Sequence, residues 1–116
     1  MISKKSYAFA IRIVKAYKFI IEDKKEYVLS KQLLRSGTAI GALVRESEHG
    51  QSTADFLNNM NVALKEANET EYWLMLLYET VYLSEKQFTS LEKDCVEIIK
   101  LLIAIVKTTK SKIGKS

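Results

Sequence analysis

Apolar residues recur along this chain at alternating steps of three and four, the spacing of one face of an α-helix. The longest stripe lies between residues 53 and 82 and continues for about four heptads. Its members are Phe56, Met60, Ala63, Ala67, Thr70, Leu74, Leu77 and Val81. Only Thr70 among them is polar. Such a stripe predicts a long helix that packs lengthwise against other helices.

Three further stripes predict helices at about 4–22, 24–48 and 85–109, beside the one at 53–82. Capping boxes, in which a polar residue precedes Glu or Gln by three positions, mark two of the starts, at Asp23–Glu26 and Ser84–Gln87. Short connections make consecutive helices antiparallel neighbours. We therefore predict an all-α fold, an antiparallel up-down-up-down four-helix bundle. It forms a single domain of residues 1–116 with a basic tail at 108–116.

The first predicted helix carries two adjoining apolar stripes, a wider face than a single bundle seam requires. The stripes are Phe9, Ile13, Ala16 and Ile20, and beside them Ala10, Val14, Tyr17 and Ile21. A face of this width predicts contacts with two neighbouring helices or with a second subunit. In the second predicted helix, Gly37 and Gly41 each cost about 1 kcal/mol relative to alanine. We expect a close approach between helices to offset that cost.

Composition supports a helical cytoplasmic protein. The 116 residues include no proline and only four glycines, and 47% of them are hydrophobic. The single cysteine, Cys95, cannot form an internal disulfide, and the chain begins without a secretory leader, which favours a reducing compartment. The longest apolar run, from Leu101 to Val106, is far shorter than the ~20 residues of a membrane span. We expect a soluble protein with no membrane partner.

The net charge of +4 is distributed unevenly. Residues 1–35 hold nine Lys or Arg against three acids, whereas residues 46–79 hold seven acids against one Lys. A basic surface for nucleic acid, or a basic face that meets an acidic face of another subunit, would have this pattern. The candidates for phosphate contact are Lys4, Lys5, Arg12, Lys15, Lys18, Arg45, Lys107, Lys110 and Lys112. Solvated lysines that favour a helix C-terminus are the alternative.

Arg35 interrupts an apolar face of the second predicted helix. In an antiparallel pair that turns near residue 50, position 35 is level with positions 65–69. We therefore predict that Arg35 pairs with Glu66 and Glu69 in a buried or half-buried polar cluster of structural role. The same register predicts that Arg45 lies near Asp55.

The sequence gives no pattern for catalysis, a metal or a cofactor. Glu66 and Glu69 lack the Glu-x-x-His partners of a di-iron bundle, since the only histidine, His49, lies in a predicted turn. Cys95 lies on an apolar stripe and is interpreted as a small buried hydrophobe. The adjacent aromatic residues 72 and 73 are interpreted as core or interface anchors, with base stacking as the alternative. We predict a protein that is not an enzyme and binds no cofactor.

Four segments resemble a known family: RSGTAIGALVRE (35–46), STADF (52–56), NVALKEANETEYWLMLL (61–77) and YLSEKQF (82–88). They resemble the bacterial four-helix-bundle proteins known as 23S rRNA intervening-sequence proteins. That family is also similar to the accessory variability protein of diversity-generating retroelements, a basic pentamer that binds nucleic acid and a reverse transcriptase. Ala39 and Leu43 depart from the pattern, because the family often has Ser and Asn at these positions.

The resemblance implies a homopentameric ring of bundles. It therefore gives a first hypothesis: the protein is a non-enzymatic homo-oligomer that binds RNA, or another nucleic acid such as DNA, through repeated basic residues. The second hypothesis is an oligomeric scaffold that binds a protein partner and has no direct role with nucleic acid. The acidic, aromatic part of the third predicted helix, or the wide apolar face of the first, would then form the interface.

Overall fold

Four helices, each antiparallel to the next, form the protein in a computed structural model that describes residues 1–50 and 52–114. They are α1 (Ile2–Asp23), α2 (Leu29–Ser47), α3 (Thr53–Glu79) and α4 (Glu85–Gly114). Each helix packs against the helices before and after it, and α4 closes the square against α1. The bundle measures 52 × 21 × 21 Å. The predicted all-α four-helix bundle is confirmed.

The long stripe of α3 forms the centre of the core. Met60, Ala63, Ala67, Leu74 and Leu77 are buried, as the spacing predicts. The two end residues of the predicted stripe are not fully buried. Phe56 is only partly buried, and Val81 is 79% exposed because α3 ends before it.

The turn between α1 and α2 differs from the prediction. The second helix begins at Leu29 and not at Lys24, and Asp23 is the last residue of α1. The cap of α2 is the buried Glu26, whose carboxylate accepts hydrogen bonds from the backbone N–H groups of Val28, Leu29 and Ser30 at 2.8–2.9 Å. Glu26 therefore satisfies the free donors at the start of the helix, and the predicted capping box at Asp23 was wrong.

The turn between α3 and α4 was only partly predicted. Helix α3 ends at Glu79 and not at residue 82, and Val81 takes the left-handed conformation with φ of 71°. The N–H of Tyr82 then donates to the carbonyl of Leu77 at 2.8 Å, as in a Schellman motif. The predicted capping box of α4 is confirmed, since Ser84 and Gln87 exchange side chain to backbone hydrogen bonds at 2.9 and 3.1 Å.

The glycines of α2 permit a close approach to α1, as predicted. A Cβ atom on Gly37 would lie 2.8 Å from Cγ1 and Cγ2 of the buried Ile13. A Cβ atom on Gly41 would lie 3.2 Å from the backbone oxygen of Ser6. The α1–α2 seam is therefore closed at these two positions.

The other predicted edges shift outward. Helix α1 begins at Ile2, and α4 continues to Gly114, so residues 108–114 of the predicted basic tail are helical. The remaining tail residues, 115 and 116, and Gln51 in the α2–α3 turn lie outside the described residues. Within the part of the chain that the structure describes, no helix is both long and apolar enough to cross a membrane.

Candidate nucleic-acid interface

Helices α1 and α4 form the most open of the four seams. Two ion pairs cross it. Arg12 of α1 donates to the carboxylate of Asp94 at 2.6 Å and to the hydroxyl of Ser90 at 2.8 Å. Lys5 lies 3.7 Å from the carboxylate of Glu97. The predicted candidates Arg12 and Lys5 therefore neutralise acids of the neighbouring helix.

A second set of cations lies on the outward surface of α4. Lys86, Lys93, Lys100 and Lys107 are spaced seven residues apart, and all four are exposed. They lie opposite the buried stripe that contains Leu91, Cys95, Ile98, Leu102 and Val106. Seven residues make almost two complete turns, so these side chains form one row with about 10 Å between neighbours. We call them the lysine row.

Sequence reasoning identified only one member of this row, Lys107. The heptad spacing of lysines was available as a signal, because it matches the period of the apolar stripe on the same helix. The spacing does not show which helix the neighbouring acidic side chains contact. Asp94 and Glu97 pair with α1, and the four lysines form no ion pair with any described residue.

Helix α1 contributes further cations on this side. Lys4, Lys15 and Lys18 are all exposed, as predicted for a basic face of the first helix. The α1–α4 register sets the start of α1 beside Lys100, and sets Lys15 beside Gln87 at the start of α4. Lys4 and Lys15 therefore flank the same seam as the lysine row. Together, the lysine row and Lys4, Lys15 and Lys18 form the surface that we call the basic face.

The terminal lysines do not form one cluster with the start of α1. Met1 and Lys5 share a hollow with Lys100 and Leu101, about two helical turns before Lys107. Lys112 instead shares a hollow with Thr53 and others at the start of α3. Lys107 and Lys110 are exposed on α4 between these two places. These lysines are therefore spread along the last turns of α4 and do not form one cluster.

Arg45 lies apart from the basic face. Its guanidinium lies 6.0 Å from the ring centroid of Tyr7, a cation–π contact between α2 and α1. Asp55 is in the first turn of α3, where its backbone N–H donates to the Ser52 cap. Among the described residues the structure contains no ion pair between Arg45 and Asp55, and the predicted proximity of these two residues stays a prediction.

The opposite side of the bundle, between α2 and α3, has an arginine–glutamate cluster at the predicted place. Arg35 donates to the carboxylate of Glu66 at 3.1 Å and also to that of Glu69. Glu69 accepts a further hydrogen bond from the indole N–H of Trp73 at 3.0 Å. The side chain of Arg35 is 49% exposed and that of Glu66 is 17% exposed. The cluster is half-buried and carries one more acid than base.

The side chains beneath and beside this cluster are structural. The hydroxyl of Thr70 donates to that of Ser36 at 3.0 Å, which joins α3 to α2 inside the core. Trp73 packs against the core, and Tyr72 meets its ring edge-to-face but remains 58% exposed. The anchor interpretation thus suits Trp73, whereas Tyr72 is a surface residue of this chain.

The next question is whether Cys95 or a group of acidic side chains could act as a nucleophile or hold a metal ion. Burial, and after it the nearby carboxylates of Glu71, Glu92 and Asp94, raises the pKa of Cys95 from 9.0 to about 12. A thiol with so high a pKa stays protonated at neutral pH and is a poor nucleophile or metal ligand. In residues 1–50 and 52–114, no group of three His, Cys, Asp or Glu side chains is arranged to hold a metal ion.

Comparison with known proteins identifies a matching family and a similar solved structure. The model of the 23S rRNA-intervening sequence protein family matches residues 1–104. The chain belongs to this family. A solved structure that resembles it is that of a protein of unknown function from the S23 ribosomal protein family of Bacteroides thetaiotaomicron, which is 57% identical to this chain. The two align over 92% of this chain and 99% of that one, with a TM-score of 0.91. The comparison with curated proteins finds no match.

The match to the 23S rRNA-intervening sequence protein family spans most of the basic face. Lys86, Lys93 and Lys100 lie within the matched residues, together with the lysines of α1. Lys107, Lys110 and Lys112 lie beyond them. Neither the family name nor the name of the solved relative states an enzymatic activity.

Proposed function

We propose that the protein is a non-enzymatic homo-oligomer that binds RNA or other nucleic acid through its basic face. The observation that carries the proposal is the lysine row, which presents four exposed cations along one outward line of α4. Over this line the axial rise is roughly 30 Å. A row of ammonium groups at regular spacing suits a phosphate backbone, where binding gains from the release of condensed counterions.

The local acids strengthen the argument. Unpaired charges on Asp94 and Glu97 would weaken phosphate binding, but each carboxylate contacts a cation of α1, although the side chain of Glu97 remains 51% exposed. These pairs neutralise the acids within the seam. The basic face therefore attracts polyanions through lysines that have no ion-pair partner among the described residues.

The family name favours RNA as the nucleic acid. Members are named for intervening sequences of 23S rRNA, and this name associates the family with a structured RNA. A lysine row gives charge complementarity without reading base edges, which fits binding to the shape and phosphates of a folded RNA.

The assembly that we propose is a homopentamer, as the resemblance implies. Exposed apolar side chains supply area for subunit contact, above all Tyr7 and Ile11 on α1, which are 61% and 43% exposed. Repeated basic faces around a ring would bind one RNA at several points. Multivalency of this kind converts modest contacts from each subunit into high overall affinity.

An oligomeric protein-interaction scaffold is the second candidate. The exposed Tyr72 and Met75 on the outward surface of α3 favour it, because aromatic and Met side chains are enriched where proteins meet. A pull-down that recovers one protein in fixed stoichiometry after nuclease treatment would support the scaffold.

The experiment that tests the proposal compares two charge-reversed proteins by gel shift with a structured RNA. Lys93→Glu/Lys100→Glu changes the lysine row, and Lys31→Glu/Lys65→Glu makes the same charge change on exposed lysines of α2 and α3. We expect the first variant to lose about tenfold or more in affinity, because each reversal replaces a phosphate contact by repulsion.

The control variant should lose less than about threefold, since only the long-range field changes. Equal losses in the two variants would mean that net charge, and not the basic face, governs binding. Circular dichroism and size-exclusion chromatography establish that both variants keep the fold and assembly of the parent protein.

A further inference from the structure

The α1–α4 seam contains a cavity of about 350 Å³ close to Lys86, the first member of the lysine row. Its floor is apolar and consists of Ala16 and Phe19 of α1, Leu83 of the preceding turn and Leu91 of α4. Ala16, with its small side chain, lines this space from α1, across from Gln87 and Leu91 of α4. Volumes of about 300–1,000 Å³ are typical of small-molecule sites.

The rim of the cavity is polar and cationic. Arg12 and Lys15 lie on the α1 side, and Gln87 lies on the α4 side. Arg12 is held by Asp94 and Ser90, but the ammonium of Lys15 has no hydrogen-bond partner among the described residues. The carbonyl of the Gln87 side chain accepts from Ser84 N–H, so its NH₂ group is left to donate elsewhere.

We propose that this cavity binds one unpaired nucleobase of an RNA strand that lies along the lysine row. The apolar floor takes the flat face of the base, and Phe19, whose ring centroid also lies 5.9 Å from the ammonium of Lys24, is the aromatic side chain that stacks on it. Gln87 donates to an acceptor on the base edge, and Lys15 contacts the adjoining phosphate. The inference rests on the proposed function and narrows its ligand to RNA with accessible single-stranded bases.

The charge around the cavity distinguishes this ligand from a neutral apolar one. Lys86 is adjacent in sequence to Gln87, and Lys15 lies across the seam from Gln87. A base brings a phosphate on each side, so both lysines gain partners when it enters. A neutral apolar ligand would leave them without partners.

The test fills the cavity and leaves the charges in place. Ala16→Leu adds three carbons to its floor, and Ala42→Leu makes the same change at an exposed position of α2. Affinities are measured by fluorescence anisotropy for a single-stranded RNA and for a blunt duplex of equal length, at one salt concentration. Loss of one stacked base should weaken single-strand binding by roughly tenfold.

We expect Ala16→Leu to lose this affinity for the single strand and to keep the duplex affinity within about twofold. Ala42→Leu should change neither affinity. A 2-aminopurine base in the single strand should be quenched by the parent protein and not by Ala16→Leu. Thermal melting establishes that both variants fold.

The outcomes separate the two proposals. Parent-level single-strand affinity and quenching in Ala16→Leu would overturn the base-binding cavity, while the lysine-row variants would still decide the proposed function. Equal loss on single strand and duplex would also overturn it, because the cavity would then only support the basic face. If the parent protein binds neither RNA, both proposals fail.

Discussion

Two arginines bridge helices on opposite sides of this bundle, and their surroundings differ. Arg12 joins α1 to Asp94 of α4, and Arg35 joins α2 to Glu66 and Glu69 of α3. Their side chains are similarly exposed, at 39% and 49%. Beneath Arg35 the seam is closed by a buried hydrogen bond between hydroxyls, whereas beside Arg12 there is a cavity of about 350 Å³.

The charge that remains after pairing also differs. On the α2–α3 side two carboxylates share one guanidinium, so the cluster stays acidic. On the α1–α4 side each acid in the seam has a cation of α1, and the lysines of α4 are left over. An arginine therefore joins two helices on both sides of the bundle. On the α2–α3 side it holds the helices together, and on the α1–α4 side it neutralises an acid and leaves the lysines of α4 as a basic surface.

The largest change in stability should come from adding a methyl group to a closed seam. In the α1–α2 seam, Gly37→Ala places a Cβ atom 2.8 Å from Cγ1 and Cγ2 of Ile13, a side chain that is fully buried. Overpacking costs about 1–3 kcal/mol, against about 1 kcal/mol of gained helix propensity. We expect a net loss of up to about 2 kcal/mol in the free energy of unfolding, measured by urea denaturation.

The matched change on the open seam is Ala16→Leu, which fills the cavity beside Arg12. Filling a cavity commonly adds about 0.5–2 kcal/mol, so we expect stability to stay level or to rise. If Gly37→Ala were neutral and Ala16→Leu costly, the assignment of closed and open seams would be reversed.

A smaller difference should separate the two arginines. Arg35→Ala leaves two neighbouring carboxylates, one of them largely buried, without their shared cation. We expect a loss of about 1 kcal/mol, more than for an exposed pair because Glu66 remains desolvated. Arg12→Ala breaks an exposed pair and should cost about 0.5 kcal/mol.

Arg35→Met and Arg12→Met serve as controls, because methionine keeps an apolar stem while the charge is lost. A melting temperature that falls more for Arg12→Ala than for Arg35→Ala would show that the open seam depends more on its ion pair.

Much of this fold could be predicted from the sequence, because the apolar period determines which face of each helix is buried. The register between α2 and α3 followed from a short turn, and it placed Arg35 beside Glu66 and Glu69 as the structure has them. The helix edges were less predictable. Glu26 caps α2 from outside the helix, and Val81 takes a conformation that favours glycine, so neither matches the usual signals.

The candidate site was harder to predict, because it depends on which way each charge points. The sequence made Arg12 and Lys5 candidates for phosphate contact, but in the structure both have acidic partners on α4. The cavity beside Ala16 lies between side chains of two helices that are far apart in sequence. Such a gap arises from the tertiary arrangement and has no local pattern.

The measurement that tests the central claim most directly is the salt dependence of RNA affinity for the parent protein and for Lys93→Gln/Lys100→Gln. Affinity is followed by anisotropy of a labelled structured RNA between about 50 and 200 mM salt. We predict a steep fall for the parent, and a log–log slope shallower by about 1.8 for each engaged subunit of the variant, at about 0.9 per lost phosphate contact on a duplex. Identical slopes for the two proteins, or an affinity that does not change with salt, would contradict the account.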